Sequence, residues 1–214
     1  SQPLRNALNQ RYSVNFEGGD ENFRYGIDLR YLGDNGVMKE SGRKNYGLSV
    51  TFQYNIAKDF FIRNDVLIDN VKGKNSPYGS FSTWAAQNPY DRIYDENGKL
   101  IEKLSSGDYN PMVYATLPNF SINEYTSVQD NFNIDWRIIP SLRLQGRFSY
   151  TKQLDKEEEF KSPKSPEFAY LSSEIEDKEK NKGSYYIKNN KSEYLDGHVT
   201  LSFFKNIGKN VINV

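Results

Sequence analysis

The sequence contains no cysteine, a single histidine and no long apolar run, and each shortage excludes a class of function. Without cysteine there is no disulfide, no thiolate nucleophile and no zinc–thiolate site. His198 alone cannot supply a metal site that needs several histidine ligands. No stretch approaches the ~20 consecutive apolar residues of a membrane helix. An excess of one charge is also absent, because 28 Lys+Arg face 28 Asp+Glu, which argues against a general nucleic-acid binder.

Recognisable catalytic and metal-binding patterns are absent as well. There is no Gly-x-Ser-x-Gly elbow and no glycine-rich phosphate loop, so we predict no catalytic residue, no cofactor and no enzymatic activity. Residues 91–102 have the length of a calcium loop, but Glu96 stands where the invariant glycine belongs, so we predict no metal site. The charge runs Asp155–Glu159 and Glu174–Lys180 indicate solvated outer loops, with a calcium or partner contact as the alternative. His198 is expected to be an ordinary lumen-facing or rim side chain.

The sequence is rich in aromatic residues, with 16 Tyr, 13 Phe and 2 Trp, and many of them alternate with polar residues. From residue 23 to residue 31, every odd position is apolar or aromatic and every even position is Arg, Gly or Asp. Residues 45–56 repeat this pattern. Successive side chains of a strand point to opposite faces, so the pattern predicts strands with one apolar and one polar face. Weaker copies predict further strands around residues 12–16, 60–68, 128–138, 142–150, 195–203 and 211–214.

Short and long connections alternate between these strands. The short ones are residues 18–22, 57–59, 139–141 and 206–209, and the longer ones are residues 33–44, 72–123 and 152–192. In an up-and-down meander, alternate connections lie at the same end of the sheet. All tight turns would therefore lie on one rim and all long loops on the other, as in outer-membrane barrels.

A soluble antiparallel sheet also alternates, and alternation by itself fits both interpretations about equally. The barrel is favoured by strands near the ~9–11 residues that a tilted membrane strand needs. Aromatic residues near both ends of the apolar faces and strongly polar opposite faces favour it too. We therefore predict an all-β fold, an antiparallel up-and-down transmembrane β-barrel segment. The residues expected to face lipid are Tyr25, Ile27, Leu29, Tyr31, Tyr46, Leu48, Val50, Phe52 and Tyr54; those expected to face the lumen are Arg24, Asp28, Arg30, Thr51 and Gln53.

Several short motifs strengthen the barrel interpretation. Residues 15–20 read Asn-Phe-Glu-Gly-Gly-Asp and are followed by Tyr25-Gly26. Further motifs are Pro3-Leu4-Arg5, Ser76-Pro77-Tyr78-Gly79-Ser80-Phe81, Asn88-Pro89-Tyr90 and Tyr94-Asp95-Glu96-Asn97-Gly98. Together they resemble the hairpin and outer-loop signatures of the SusC/RagA family of TonB-dependent outer-membrane transporters. All of them precede Pro111, and beyond that residue the resemblance rests on the strand pattern.

The resemblance implies a barrel of about 22 strands, of which residues 1–214 would supply about eight, with no plug domain in this chain. It also implies a bacterial outer-membrane location with the long loops extracellular. The expected partners are a SusD-like surface lipoprotein that covers the barrel, TonB through an N-terminal part that this chain lacks, and outer-membrane lipid. The expected function is import of a large nutrient, a glycan, an oligosaccharide or a peptide.

Other interpretations of the chain remain open. A complete eight-stranded barrel competes with the partial one, since eight strands are the smallest membrane barrel. A structural or adhesion barrel that transports nothing and a soluble β-rich binding module are the alternative functions.

The longest predicted loop holds a dense group of aromatic residues: Tyr78, Phe81, Trp84, Tyr90, Tyr94, Tyr109 and Tyr114. Aromatic rings stack on sugar rings, and Tyr and Trp are common anchors at protein interfaces. Three roles follow for this group: packing of the loop against itself, contact with a lid protein, and contact with the ligand.

Overall fold

The computed structural model describes residues 3–168, 182–208 and 210–213, and their main element is one antiparallel sheet. Its eight strands pair strictly in chain order, each with the next. They are β1 (Gln10–Gly19), β2 (Phe23–Asn35), β3 (Gly42–Ala57), β4 (Phe60–Lys74), β5 (Phe120–Ile139), β6 (Leu142–Lys161), β7 (Ser184–Ile207) and β8 (Asn210–Asn213). The all-β up-and-down architecture and the strand number predicted from the sequence are confirmed.

Helical structure is confined to short pieces of the connections. Helices α1 (Phe81–Ala85) and α2 (Pro111–Thr116) lie between β4 and β5, and a 3₁₀ turn covers Pro166–Phe168. Within the described part of the chain, no helix combines the length and the apolar character needed to span a bilayer.

The tight connections all lie at one end of the sheet. The turn from β1 to β2 is held by Asp20, whose Oδ1 accepts hydrogen bonds from the backbone N–H groups of Asn22 at 2.8 Å and Phe23 at 2.9 Å. These bonds stabilise the charged carboxylate and lower the pKa of Asp20. Gly19 has φ +132°, and a Cβ there would lie 2.0 Å from the Phe23 carbonyl oxygen, so the turn requires glycine.

The longer connections are shorter than the sequence predicts. The interval 72–123 narrows to residues 75–119 and the interval 152–192 to residues 162–183, because the flanking strands continue. The charge run Asp155–Glu159 was predicted to be loop, which is wrong: it lies in β6, where Glu158 pairs with Ile187 of β7. Charged residues on both faces hide the alternation there, although the backbone pairing persists. The charge run Glu174–Lys180 and Val214 lie outside the described residues.

The sheet carries no second packed layer in the part of the chain that is described. The buried apolar side chains are Val71, Leu104, Met112 and Val113. Three of these lie in the connection between β4 and β5, so most of the buried apolar side chains of the described residues are in that connection. By contrast, large side chains of the strands stand in the open, with Tyr46 52% and Tyr54 47% exposed.

Candidate functional site

The sheet has two chemically distinct faces, here called the apolar face and the polar face. The pairing of β2 with β3 sets Tyr25 opposite Phe52, Ile27 opposite Val50, Leu29 opposite Leu48 and Tyr31 opposite Tyr46. All the residues predicted to face lipid therefore share the apolar face. Leu29 is 45% and Phe52 44% exposed, as expected of side chains that lack a partner layer. Their contact with lipid stays a prediction.

The upper edge of the apolar face, meaning the edge toward the long connections, is level from β1 to β3, where Tyr12, Tyr31 and Tyr46 are register partners. From β3 to β7 it runs obliquely across the strands. Register partners lead from Tyr46 on β3 through Asn70, Thr126 and Leu154 to Lys191 on β7. The apolar series on β7 ends lower, at Leu195, a shift of four residues (195 minus 191). Four residues at ~3.3 Å each correspond to ~13 Å along the strands, and the four spacings between β3 and β7 at ~4.8 Å each correspond to ~19 Å across them. The edge is therefore inclined by about 35° to the register rows.

This inclination has a simple physical interpretation. Barrel strands tilt by roughly 35–45° from the membrane normal, so a horizontal lipid band must cross the register at that angle. The intermediate strands follow the same line, since the apolar series ends at Ile68 on β4, Val128 on β5 and Tyr150 on β6. Leu154 stands isolated above this line, between Lys152 and Lys156 on the same face.

One polar pair interrupts the apolar face. Asn64 on β4 donates through Nδ2 to Oδ1 of Asp130 on β5 at 2.5 Å. The two residues lie among Val66, Val128 and Phe132 on that face. Polar groups in an apolar environment need hydrogen-bond partners. The bond between Asn64 and Asp130 meets this need and also links β4 to β5.

The polar face is cross-linked by ion pairs and hydrogen bonds. The Arg63 Nε lies 2.8 Å from Oδ2 of Asp65, and the Thr51 hydroxyl donates to Oδ1 of the same carboxylate at 2.7 Å. Arg30 lies 3.6 Å from Asp28 on its own strand and 3.8 Å from Asp69 on β4. Such a face suits contact with water or with another polar element, and it does not suit a second apolar core.

A concavity of about 770 Å³ opens on the polar face near the tight-turn rim. Predicted lumen-facing residues line it, namely Arg24, Asp28, Thr51 and Gln53. Arg30 is on the same face by register but does not line this concavity.

Within the outer connection between β4 and β5, Asn110 is the central residue and is 0% exposed. Its Nδ2 donates to the carbonyl oxygens of Ile93 and Ile101 at 2.9 Å each. Its Oδ1 accepts from the backbone N–H of Met112 at 3.0 Å and so caps α2. One side chain thus ties the helix to two distant segments. Sequence reasoning missed this role, although an Asn directly before Pro111 is a recognisable helix-cap signal.

Two small hairpins of similar build precede Asn110. The first closes with a bridge between Tyr94 and Leu100, and its turn places Gly98 at φ +76°. The second closes with a bridge between Lys103 and Tyr109, and its turn places Gly107 at φ +94°. In the first hairpin, the Gly98 N–H donates to the Asp95 carbonyl oxygen at 3.1 Å and closes a turn over residues 95–98.

The second hairpin is also bound to the segment ahead of the first. The Ser105 and Ser106 hydroxyls donate to the two carboxylate oxygens of Asp91, at 2.5 and 2.6 Å. These bonds favour the charged carboxylate and lower the pKa of Asp91. The connection is therefore folded on itself and is not an open loop.

Of the aromatic residues predicted to contact a ligand or lid, Tyr78 and Trp84 pack against each other. Their ring centroids lie 6.5 Å apart, and Trp84 Nε1 donates to the Tyr78 carbonyl oxygen at 2.7 Å. Lys39 from the connection between β2 and β3 places its Nζ 5.9 Å from the Tyr78 ring centroid. Of the three roles considered for the aromatic residues, packing within and between the connections is the one that the contacts of Tyr78 and Trp84 support.

Tyr78 and Tyr114 meet at a cavity of about 370 Å³ at the outer end of β5 and β6. Phe120 and Phe160 form its wall, with ring centroids 5.8 Å apart. The structure thus brings two of the predicted aromatic residues to one recess, together with two strand residues that the sequence did not single out.

The remaining predicted aromatic residues lie elsewhere in the connection. Tyr90 is 90% and Phe81 58% exposed. Tyr94 and Tyr109 are hairpin residues, as described above. None of them lines the recess.

A further residue that the sequence did not reveal joins the two outer connections. Asn119 accepts through Oδ1 from the backbone N–H of Ser162 at 2.7 Å and donates through Nδ2 to the Ser165 hydroxyl at 3.0 Å. Ser162 and Ser165 are only 5% and 2% exposed. These hydrogen bonds link the described ends of both connections.

Metal-ligating side chains do not converge in the described residues, where no group of three or more His, Cys, Asp or Glu could hold an ion. His198 lies on the polar face of β7, and its Nε2 is 2.8 Å from the Thr200 hydroxyl.

Comparison with known proteins gives a structural likeness only. No protein-family model and no curated protein matches the sequence. Among solved structures, the chain resembles the RagAB peptide importer in its closed-closed state, with a TM-score of 0.68 and 16% identity over 95% of this chain and 23% of that chain. The open-open state of the same importer gives a TM-score of 0.66 and 17% identity, covering 95% and 22%.

A second kind of transporter matches more weakly. The ferric-catecholate import receptor Fiu from E. coli K12 gives a TM-score of 0.53 and 9% identity over 98% of this chain and 33% of that chain. The chain thus spans about a quarter to a third of the length of these proteins. At such identities the likeness establishes the fold: a segment of the barrel wall found in TonB-dependent receptors.

Proposed function

We propose that this chain is wall and outer connections of an outer-membrane transporter that imports a large nutrient. The oblique upper edge of the apolar face carries the proposal, since an inclination near 35° is what lipid around tilted strands requires. A soluble sheet has no reason to move its apolar residues stepwise down the register from Tyr46 to Leu195.

The polar face supports the second half of the proposal. Charged and amide side chains such as those around Asp65 and Arg30 would line a wet or plugged lumen. We place the plug domain and the contact with TonB outside residues 1–214. In a barrel of about 22 strands, the present strands would form roughly a third of the wall.

For the substrate class, we propose a peptide or an oligosaccharide, delivered under a SusD-like surface lipoprotein. The likeness to a peptide importer supports the first. The exposed aromatic rings of Phe81 and Tyr90 support contact with a lid or a ligand, because such rings serve protein interfaces and sugars alike.

Uptake by intact cells tests the proposal. Cells with and without the full-length gene would be given fluorescent peptide pools and fluorescent oligosaccharide pools, each with and without a protonophore. We expect the gene to raise uptake of one pool, and the protonophore to abolish the gain. Identical uptake of both pools in both strains would favour the structural or adhesion barrel.

A further inference from the structure

A row of basic residues lies on the apolar face just above its upper edge. Lys44 lies one pleat period above Tyr46 on β3, and Lys72, directly opposite Lys44, lies two pleat periods above Ile68 on β4. One pleat period is about 6.6 Å along the strand, or about 5 Å of height for a strand tilted near 40°. The two lysines therefore stand about 5 Å and about 10 Å above the apolar edge, at the level of the outer-leaflet headgroups if the apolar face meets lipid.

The charges in this row are incompletely balanced. Lys72 Nζ lies 3.7 Å from Oε2 of Glu124, which is its register partner on β5. Glu124 in turn faces Lys156, which pairs with Glu158 at 2.8 Å. Among the described residues, none forms an ion pair with Lys44. Like charges directly opposite one another destabilise a sheet, and Glu124 offsets only one of the two, so an additional anion beside Lys44 would relieve the repulsion.

The neighbouring strand leaves room beside Lys44. Its partner on β2 is Gly33, and the Tyr31 hydroxyl lies 2.7 Å from the point where a Cβ on Gly33 would stand. The Tyr31 side chain therefore extends toward Gly33 and places its phenolic O–H on β2 beside Lys44. The Tyr31 ring packs against the ring of Tyr46, with the centroids 5.1 Å apart. Ammonium groups and a phenolic hydroxyl are all hydrogen-bond donors to phosphate oxygen atoms.

We propose that Lys44, Lys72 and the Tyr31 hydroxyl bind the phosphate group of an outer-leaflet lipid whose acyl chains lie on the apolar face below. The proposal rests on the proposed membrane placement of the sheet. The apolar face supplies the reason for a lipid rather than a free anion, because Leu29, Leu48 and Ile68 lie two pleat periods beneath the basic row, below the row of Tyr31, Tyr46 and Asn70. Acyl chain and phosphate would thus be bound by adjoining surfaces, which a soluble anion cannot exploit.

Lipid retention by the full-length protein tests this inference. The protein would be reconstituted in phosphatidylcholine vesicles that contain a small fraction of either phosphatidic acid or diacylglycerol, extracted in mild detergent, and analysed by native mass spectrometry. We expect phosphatidic acid to be retained in preference to diacylglycerol. Lys44→Gln and Lys72→Gln should each lower that retention about fivefold and the double variant about 25-fold, since one lysine near a charged membrane surface is worth about a factor of five.

Lys58→Gln is the matched control, because Lys58 is an exposed lysine in the tight turn between β3 and β4 at the opposite rim. Its phosphatidic acid retention should equal that of the wild type. The lipid site would be overturned if the double variant retained as much phosphatidic acid as the wild type, or if the wild type showed no preference for phosphatidic acid. The proposed function would stand in that case, provided that the protein still inserts into membranes and still raises nutrient uptake. Complete displacement of phosphatidic acid by millimolar inorganic phosphate would overturn it in favour of a soluble-anion site. Failure of the wild type to enter the vesicles would overturn both proposals.

Discussion

The side-chain amide of Asn110 donates a hydrogen bond to the carbonyl oxygen of Ile93 at 2.9 Å, across 17 residues of sequence. With the matching bond to Ile101, it fixes the outer connection as a compact unit. A connection built in this way presents a defined surface. The exposed aromatic residues Phe81 and Tyr90 can then serve as a fixed recognition surface without first having to be ordered.

Replacing Asn110 should open this unit. Asn110→Ala removes both bonds together with the cap of α2. The Ile93 carbonyl oxygen keeps the Ile101 N–H as a donor at 3.1 Å. The Ile101 carbonyl oxygen and the Met112 N–H lose their Asn110 partner, each at a cost of about 1–3 kcal/mol if it stays buried and unpaired. We expect limited proteolysis of the full-length protein to cut within residues 92–110 at least tenfold faster, with the barrel itself still intact. Asn88→Ala is the control, since Asn88 is exposed and its side chain accepts one local hydrogen bond, from the Tyr90 N–H at 3.1 Å. Equal cleavage of both variants would show that Asn110 does not hold the connection.

The Asp91 carboxylate should make the second hairpin sensitive to acid. Because hydrogen bonds from Ser105 and Ser106 lower the pKa of Asp91, their stabilisation is complete above the unfolded value of about 4 and is lost as pH falls through the folded pKa. We expect hydrogen-exchange protection at residues 105–106, corrected for intrinsic exchange rates, to stay constant from pH 7 to 5 and to fall below pH 4. Asp91→Asn should abolish this pH dependence. An equally steep fall in that variant would assign the effect to another group.

The alternation of tight and long connections predicts the orientation of the sheet in the membrane. Epitope tags near Ser105 and near Lys180, of which Lys180 lies outside the described residues, should be labelled by antibody on intact cells. A tag at Lys58, in the turn between β3 and β4, should be labelled only after permeabilisation. The reverse pattern would invert the assignment of the two rims.

The sequence predicts the strands well where one face is apolar and the other polar. The prediction fails where that contrast disappears, as in residues 152–161 of β6. Lys152 and Asp155 point to opposite faces there, but both are charged, so the sequence shows no alternation of polarity. The outer connection is harder still. An Asn before Pro111 signals a helix cap, but the bonds from Asn110 to Ile93 and Ile101 depend on where the two hairpins place those carbonyl groups. Long-range contacts of this kind leave no local pattern.

The central claim is that one face of the sheet meets lipid, and Val50 and Thr51 test it most directly. Val50 lies on the apolar face between Ile27 and Val66, whereas the neighbouring Thr51 faces Asp65 on the polar face. An arginine on the lipid face near mid-bilayer costs ~2–4 kcal/mol, whereas an arginine at position 51 would gain Asp65 as a partner.

The measurement is the amount of folded, protease-resistant full-length barrel in the outer-membrane fraction for Val50→Arg and Thr51→Arg. We predict that Val50→Arg lowers this amount at least tenfold and that Thr51→Arg leaves it within twofold of the wild type. Equal loss in both variants would contradict the account, because it would mean that both faces of the sheet pack against protein.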